Sequence, residues 1–127
     1  MKEDNIVLEK SYRFSVRIGR LYQHISETKK EYVLSKQALR CGTSVGANVE
    51  EAVGGRSRKD FVSKLGIAYH EARETRFWLR LLRDTDYLTT QQAESILNDV
   101  EELLKIIGSI IIATRDYPET ENRFINS

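Results

Sequence analysis

Two rows of apolar residues lie on either side of a Gly54-Gly55 break, and this pairing constrains the fold more than any other feature. Residues 38–52 repeat apolar side chains at steps of three and four, and so do residues 61–82. This alternation is typical of an α-helix with one buried face. The first row is Ala38, Cys41, Val45, Val49 and Ala52, and the second is Phe61, Leu65, Ala68, Ala72, Thr75, Leu79 and Leu82. The stretch from Gln37 to Leu82 therefore predicts a helical hairpin.

Two glycines, Gly42 and Gly46, lie beside the first row. A glycine in a helix interior costs about 1 kcal/mol relative to alanine, so we expect a neighbouring helix to approach closely there. A phosphate-binding loop is the alternative. It requires a lysine directly after the last glycine and then a serine or threonine. Here Ala47 and Asn48 follow Gly46, which favours the helix.

Similar apolar rows predict one further helix on each side of the hairpin. The 127-residue chain, with a single proline, has the length of one domain with a substantial core. We predict an all-α fold, an antiparallel up-down-up-down four-helix bundle. The predicted helices span about residues 6–26, 36–53, 58–85 and 90–115 of a single domain at 1–127, and the tail at 116–127 is expected to be loose.

Several residues are typical of helix ends. Ser35 and Ser57 are predicted N-caps of the second and third helices, because a serine hydroxyl accepts from backbone N–H groups of the first turn. Gly54 is expected to end the second helix in a left-handed conformation. Thr89 and Gln92 have the spacing of a reciprocal capping box at the start of the fourth helix.

Basic residues follow one flank of the first helix at steps of three and four. We call this set the α1 strip: Lys10, Arg13, Arg17, Arg20 and His24. It fits either a solvated flank or a row of cations that follows a phosphate backbone. A second cluster, Arg56, Arg58 and Lys59, is expected at the exposed hairpin tip. From Arg56 to Arg83 the chain has eight Lys/Arg and three Asp/Glu, although its overall net charge is only +1. A further row in this segment is Arg73, Arg76, Arg80 and Arg83.

A polar flank is predicted along the hairpin. An antiparallel register through the Gly54-Gly55 break places Arg40 level with Glu71, and Gln37 level with Glu74. We therefore expect Arg40 to form an ion pair with Glu71 or Glu74, within one subunit or across an interface. The alternative is an Arg40 side chain that points into solvent. Asn48 and Glu51 share the flank of Arg40. Trp78 lies off the main apolar row, and a partner subunit is one way to cover it. The predicted interface set is Arg40, Asn48, Glu51, Glu71, Glu74 and Trp78.

No catalytic or metal site is predicted, and no cofactor or small-molecule substrate is expected. The chain lacks the Glu-x-x-His pairs of di-metal bundles and any Cys/His cluster with metal-ligand spacing. Glu71 and Glu74 fit an acid/base pair by spacing, but ion pairing is the favoured interpretation. The single cysteine, Cys41, is expected to be a core residue. Without a signal-peptide pattern or a long apolar run, we expect a cytoplasmic protein with no membrane partner.

The chain resembles the four-helix-bundle family of large-subunit (23S) ribosomal RNA intervening-sequence proteins. The resemblance covers about residues 6–115. It is carried by Gln37-x-x-Arg40, by residues 44–51 (SVGANVEE), by residues 57–61 (SRKDF), and by residues 70–75 (HEARET) through Trp78-Leu79. The resemblance implies a bacterial protein that assembles as a homopentamer and has a nucleic-acid-linked role. It implies no catalytic residues.

Two functional hypotheses follow. The first is an oligomeric, non-enzymatic module that binds RNA or DNA through basic residues from several subunits. The second is a protein-protein scaffold or accessory subunit whose basic rows are only solvated faces. Binding that weakens steeply with salt would favour the first hypothesis, because phosphate neutralisation releases counterions.

Overall fold

The computed structural model describes residues 2–115, with side chains from residue 4 onward. It contains four helices, α1 (Lys2–Thr28), α2 (Leu34–Val53), α3 (Arg58–Asp84) and α4 (Thr90–Arg115). Helix α1 begins before the predicted residue 6, and Asp4 favours this start because an acidic residue in the first turn lies at the positive end of the helix dipole. The predicted loose tail at 116–127 lies outside the described residues.

The helices form a ring in which each contacts its two neighbours, and no diagonal pair is in contact within residues 2–115. Ion pairs show the directions. Lys10 pairs with Glu102 and Arg17 with Asp99, so residue numbers rise along α1 as they fall along α4. Short connections make the other neighbours antiparallel in the same way. The predicted four-helix bundle is confirmed.

The predicted apolar rows form the core. Every member of the two hairpin rows is buried. The corresponding row of α1 has six members at the same steps of three and four, and five of them are buried: Val7, Ser11, Phe14, Ile18 and Ile25. Leu21 is the exception in α1. It is only partly buried, because it borders an open groove between α1 and α4.

The glycines of α2 allow α1 to approach closely, as predicted. A Cβ atom at Gly42 would lie 2.8 Å from both Cγ atoms of Ile18. At Gly46 it would overlap the Ser15 hydroxyl and lie 3.2 Å from the Ser11 carbonyl oxygen. The Ser15 hydroxyl also donates across the interface to the Gly42 carbonyl, at 3.3 Å. These contacts exclude side chains at both positions of α2.

Two helix starts match the predicted caps. The Ser57 hydroxyl accepts from the Asp60 N–H at 3.1 Å. At α4, the Thr89 hydroxyl accepts from the Gln92 N–H at 3.1 Å, and the Gln92 side chain accepts from the Thr89 N–H at 3.0 Å. Both arrangements satisfy N–H groups that have no partner inside the helix.

Two other predicted helix ends are wrong. Ser35 is not the N-cap of α2, because the helix begins at Leu34 and the carboxylate of buried Glu31 accepts the N–H groups of Val33, Leu34 and Ser35 at 2.6–2.9 Å. Gly54 has φ −80° and is not left-handed. Among the described residues, Lys30 and Asp86 in the other two connections have left-handed φ angles.

Candidate nucleic-acid interface

The α1 strip lies along the junction with α4, and acidic side chains pair with three of its cations. Arg17 lies 2.5 Å from Asp99, Lys10 lies 3.2 Å from Glu102, and Arg13 lies 2.7 Å from Glu9 one turn earlier. All three pairs are largely exposed. The solvated-flank interpretation therefore accounts for these three residues of the strip, since their charges are offset by nearby carboxylates.

The remaining two residues of the strip have a different environment. Arg20 and His24 are exposed and have no ion-pair partner among residues 4–115. Both border the groove between α1 and α4. The structure thus divides the α1 strip into three cations paired with carboxylates and an end where the charge of Arg20 faces solvent.

The predicted tip cluster lies at the start of α3. Arg56 and Lys59 are exposed, whereas Arg58 is half-buried. These cations lie beside the positive end of the α3 dipole, so the local potential favours an anion.

A third basic surface runs along the solvent side of α3. It surrounds a shallow depression that Glu74 and Arg76 also line. We call it the α3 basic face, and its four members are His70, Arg73, Phe77 and Arg80. All four are exposed, and the Phe77 side chain is 54% accessible. Its ring packs edge-on against Trp78, with centroids 5.1 Å apart. An exposed aromatic ring between arginines is the pairing that single-stranded nucleic acids use.

Sequence reasoning found the basic row of α3 but missed Phe77. The available signal was an aromatic residue outside the buried row, between Arg73 four positions before it and Arg80 three positions after it. The other two members of the row point to acidic partners. Arg76 pairs with Glu101 at 2.8 Å, and Arg83 pairs with Asp84 at 2.8 Å. The hydrogen bond from Arg83 lowers the pKa of the Asp84 carboxyl.

The predicted ion pair of the hairpin is confirmed. Arg40 bonds the Glu74 carboxylate directly and lies 3.6 Å from Glu71. The Glu74 hydrogen bond raises the pKa of Arg40. The Arg40 side chain is 54% accessible, so this is a surface ion pair rather than a buried one. Trp78 joins the group through a long contact from its Nε1 to Glu74, at 3.5 Å.

The other predicted interface residues do not join this group. The Asn48 amide donates to the Ser44 carbonyl and hydroxyl at 2.9 and 3.0 Å, within its own helix. Glu51 is exposed. Glu71 differs from both, because its Oε2 is buried and accepts no hydrogen bond from the described residues. The Arg40 guanidinium lies 3.6 Å from this same oxygen.

The described residues contain no group of three His, Cys, Asp or Glu side chains that could hold a metal ion. Cys41 is buried, and burial raises the pKa of its thiol above the ordinary value of 9.0. That shift disfavours the thiolate that a nucleophile needs. Glu71 and Glu74 both face Arg40, the arrangement expected of ion pairing. Within the part of the chain that the structure describes, no helix has the length and apolarity to cross a membrane.

Comparison with known proteins agrees with the four-helix fold. A crystal structure of a protein with unknown function from the S23 ribosomal protein family of Bacteroides thetaiotaomicron superposes with a TM-score of 0.85. Its sequence is 52% identical, and the match covers 87% of this chain and 98% of that one. No curated protein matches. The model of the 23S rRNA-intervening sequence protein family matches residues 3–109. The chain therefore belongs to the 23S rRNA-intervening sequence protein family.

Proposed function

We propose that this chain is an oligomeric, non-enzymatic module of the bacterial cytoplasm that binds RNA or DNA. The observation that carries the proposal is the α3 basic face, where an exposed phenylalanine lies among two arginines and a histidine. The family, described by its link to 23S rRNA, supports a role with RNA.

The α3 basic face has the parts that such binding needs. Arg73 and Arg80 have no ion-pair partner among residues 4–115, so both can neutralise phosphates. Phe77 is exposed beside these arginines, so its ring is accessible to an unpaired base. Base stacking on an aromatic side chain contributes about 1–3 kcal/mol per base.

Assembly would repeat this surface. Ile67 and Ile112 are 41% and 54% accessible, an unusual exposure for isoleucine. We propose a homopentamer, the assembly that the family resemblance implies. Light scattering should then give about five times the chain mass of 14.7 kDa. A monomer would contradict the assembly.

The binding experiment compares two double variants. Fluorescence anisotropy with a mixed-sequence single-stranded RNA should show that Arg73→Gln with Arg80→Gln weakens binding and reduces the salt slope by about two, one for each lost phosphate contact. The control, Lys36→Gln with Lys105→Gln, removes the same charge from exposed positions of α2 and α4 and should bind like wild type. Phe77→Leu should lower affinity without changing the salt slope.

A scaffold without direct nucleic-acid binding is the second candidate. Its support is the pairing of Lys10, Arg13 and Arg17 with carboxylates, which leaves less free positive charge than the sequence suggested. Wild-type protein that binds neither RNA nor single-stranded DNA, or binds with an affinity indifferent to salt, would favour the scaffold. It would also contradict the proposal.

A further inference from the structure

The groove between α1 and α4 is a separate cavity of about 460 Å³. We call it the α1–α4 groove. Its floor is apolar and includes Leu21, Leu88 and Ile96, of which the last two are only 4% and 2% accessible. Pockets for small organic groups typically have volumes of about 300–1,000 Å³. The groove therefore has room for a planar group against an apolar floor.

Arg17 forms a fixed part of the groove wall. One guanidinium nitrogen lies 2.5 Å from Asp99 and 3.4 Å from the Ser95 carbonyl oxygen, and the other bonds the Ser95 hydroxyl at 3.0 Å. These bonds hold the guanidinium in one orientation and offset its charge. Its planar face is the part suited to a ligand, because guanidinium groups stack on nucleobases.

Two neighbouring amides on the α4 side have different tasks. The Gln92 side chain takes part in the Thr89 capping box. Gln91 also lines the groove, is exposed, and makes no hydrogen bond with residues 4–115. A glutamine amide offers a donor and an acceptor side by side, the pattern that pairs with the N6 and N7 positions of adenine.

The rim of the groove is positive. Arg20 and His24 border it and are exposed, and Arg20 has no carboxylate partner among the described residues. A second cavity continues past His24 toward Lys29 and Asp86. A phosphate bound at Arg20 would thus have a path for the rest of a strand along the same side of the bundle.

We propose that the α1–α4 groove binds the adenine base of an unpaired nucleotide within an RNA strand. The base lies on the floor at Leu21 and Ile96 beside the Arg17 guanidinium, Gln91 reads its edge, and Arg20 holds a phosphate. This inference deepens the proposed function and rests on its RNA binding. It adds a base preference, which the α3 basic face does not supply because stacking on Phe77 is sequence-tolerant.

The test uses the full chain and two labelled RNA strands of twelve nucleotides, oligoadenylate and oligouridylate. Wild type should bind oligoadenylate about tenfold more tightly, within the range expected of one amide–adenine pair. Gln91→Leu keeps the size of the side chain and removes the amide, so it should abolish the preference. Arg20→Gln should weaken binding to both strands alike and reduce the salt slope by about one.

Gln23→Leu is the matched control, since Gln23 is exposed on α1 and does not line the groove. It should keep the adenine preference. Two results would contradict the proposed adenine site without contradicting RNA binding. The first is equal affinity of wild type for both strands, and the second is loss of the preference in both Gln91→Leu and Gln23→Leu. Failure to bind either strand would overturn both proposals. If the protein binds free adenosine 5′-monophosphate but neither strand, the occupant of the groove is a free nucleotide, and the proposal of an RNA strand is wrong.

Discussion

Helix α1 has two neighbours, and the two contacts are built differently. Against α2, the backbones approach so closely that Gly42 and Gly46 have no room for a Cβ atom. Against α4, the contact is sparser, charged side chains bridge the helices, and a cavity of about 460 Å³ remains. The first contact depends on close packing and shape, and the second on ion pairs at the surface.

This difference predicts separate roles for the two contacts. At a close-packed contact, adding or removing an atom lowers the stability of the fold, so few substitutions are tolerated there. Exposed ion pairs contribute little to stability, and they leave polar groups and space available for a ligand. The α1–α2 contact is therefore expected to hold the fold, and the α1–α4 contact to be the place where a ligand is accommodated.

The largest expected effect comes from filling the close contact. In Gly42→Ala, the new methyl group meets both Cγ atoms of buried Ile18 at 2.8 Å. The strain exceeds the gain in helix propensity, so the free energy of unfolding should fall by about 1–3 kcal/mol. Urea denaturation followed by circular dichroism measures the change.

Gly19→Ala is the matched control on α1. A Cβ atom there has nothing within 4 Å, so only the propensity gain remains and the variant should be more stable by about 0.5–1 kcal/mol. Equal shifts for Gly42→Ala and Gly19→Ala would contradict the close packing of α1 on α2.

A smaller effect is expected at the α1–α4 contact. Arg17→Gln, Asp99→Asn and the double variant form a cycle around a pair in which both side chains are about two-fifths exposed. The coupling free energy should be about 0.5–1 kcal/mol at low salt and should fall in 1 M NaCl. A coupling above about 3 kcal/mol would indicate a buried pair and remove the contrast between the two contacts.

The smallest expected effect is a pH dependence of stability that arises from the buried Cys41. Burial raises the pKa of Cys41 above 9.0, so the thiolate forms in the unfolded chain before it forms in the folded one. The stability from the protonated thiol is fully present below pH 9 and is lost as pH rises through the folded pKa. Relative to Cys41→Ala, wild type should lose stability above pH 9 and show a constant difference below it. A constant difference up to pH 11 would mean that the thiol is solvated.

Much of the bundle could be predicted from the sequence because the relevant signals are local. The steps of three and four in Phe61 to Leu82 place one helix face in the core whatever surrounds it. The Arg40 pairing with Glu74 was also predictable, since the short Gly54-Gly55 break sets the register between two consecutive helices.

The cap of α2 and the candidate site could not be predicted from local sequence pattern alone. Glu31 replaces Ser35 as the capping side chain because the loop turns back at Lys30, which has φ 56°. Phe77 is part of the candidate site because it is exposed, and the spacing of the neighbouring arginines does not predict that exposure.

The sequence by itself determined four helices, their buried faces and the glycine positions where helices meet, because periodicity and glycine preference act within one helix. Only the tertiary structure decided which cations are neutralised. Arg17 and Asp99 lie on the first and last helices, and nothing local links them. The same holds for the α1–α4 groove, whose Arg20 and Gln91 belong to helices that meet only when the ring of four closes. A charge row defines a face, and the neighbour across that face determines whether its charge is available to a ligand.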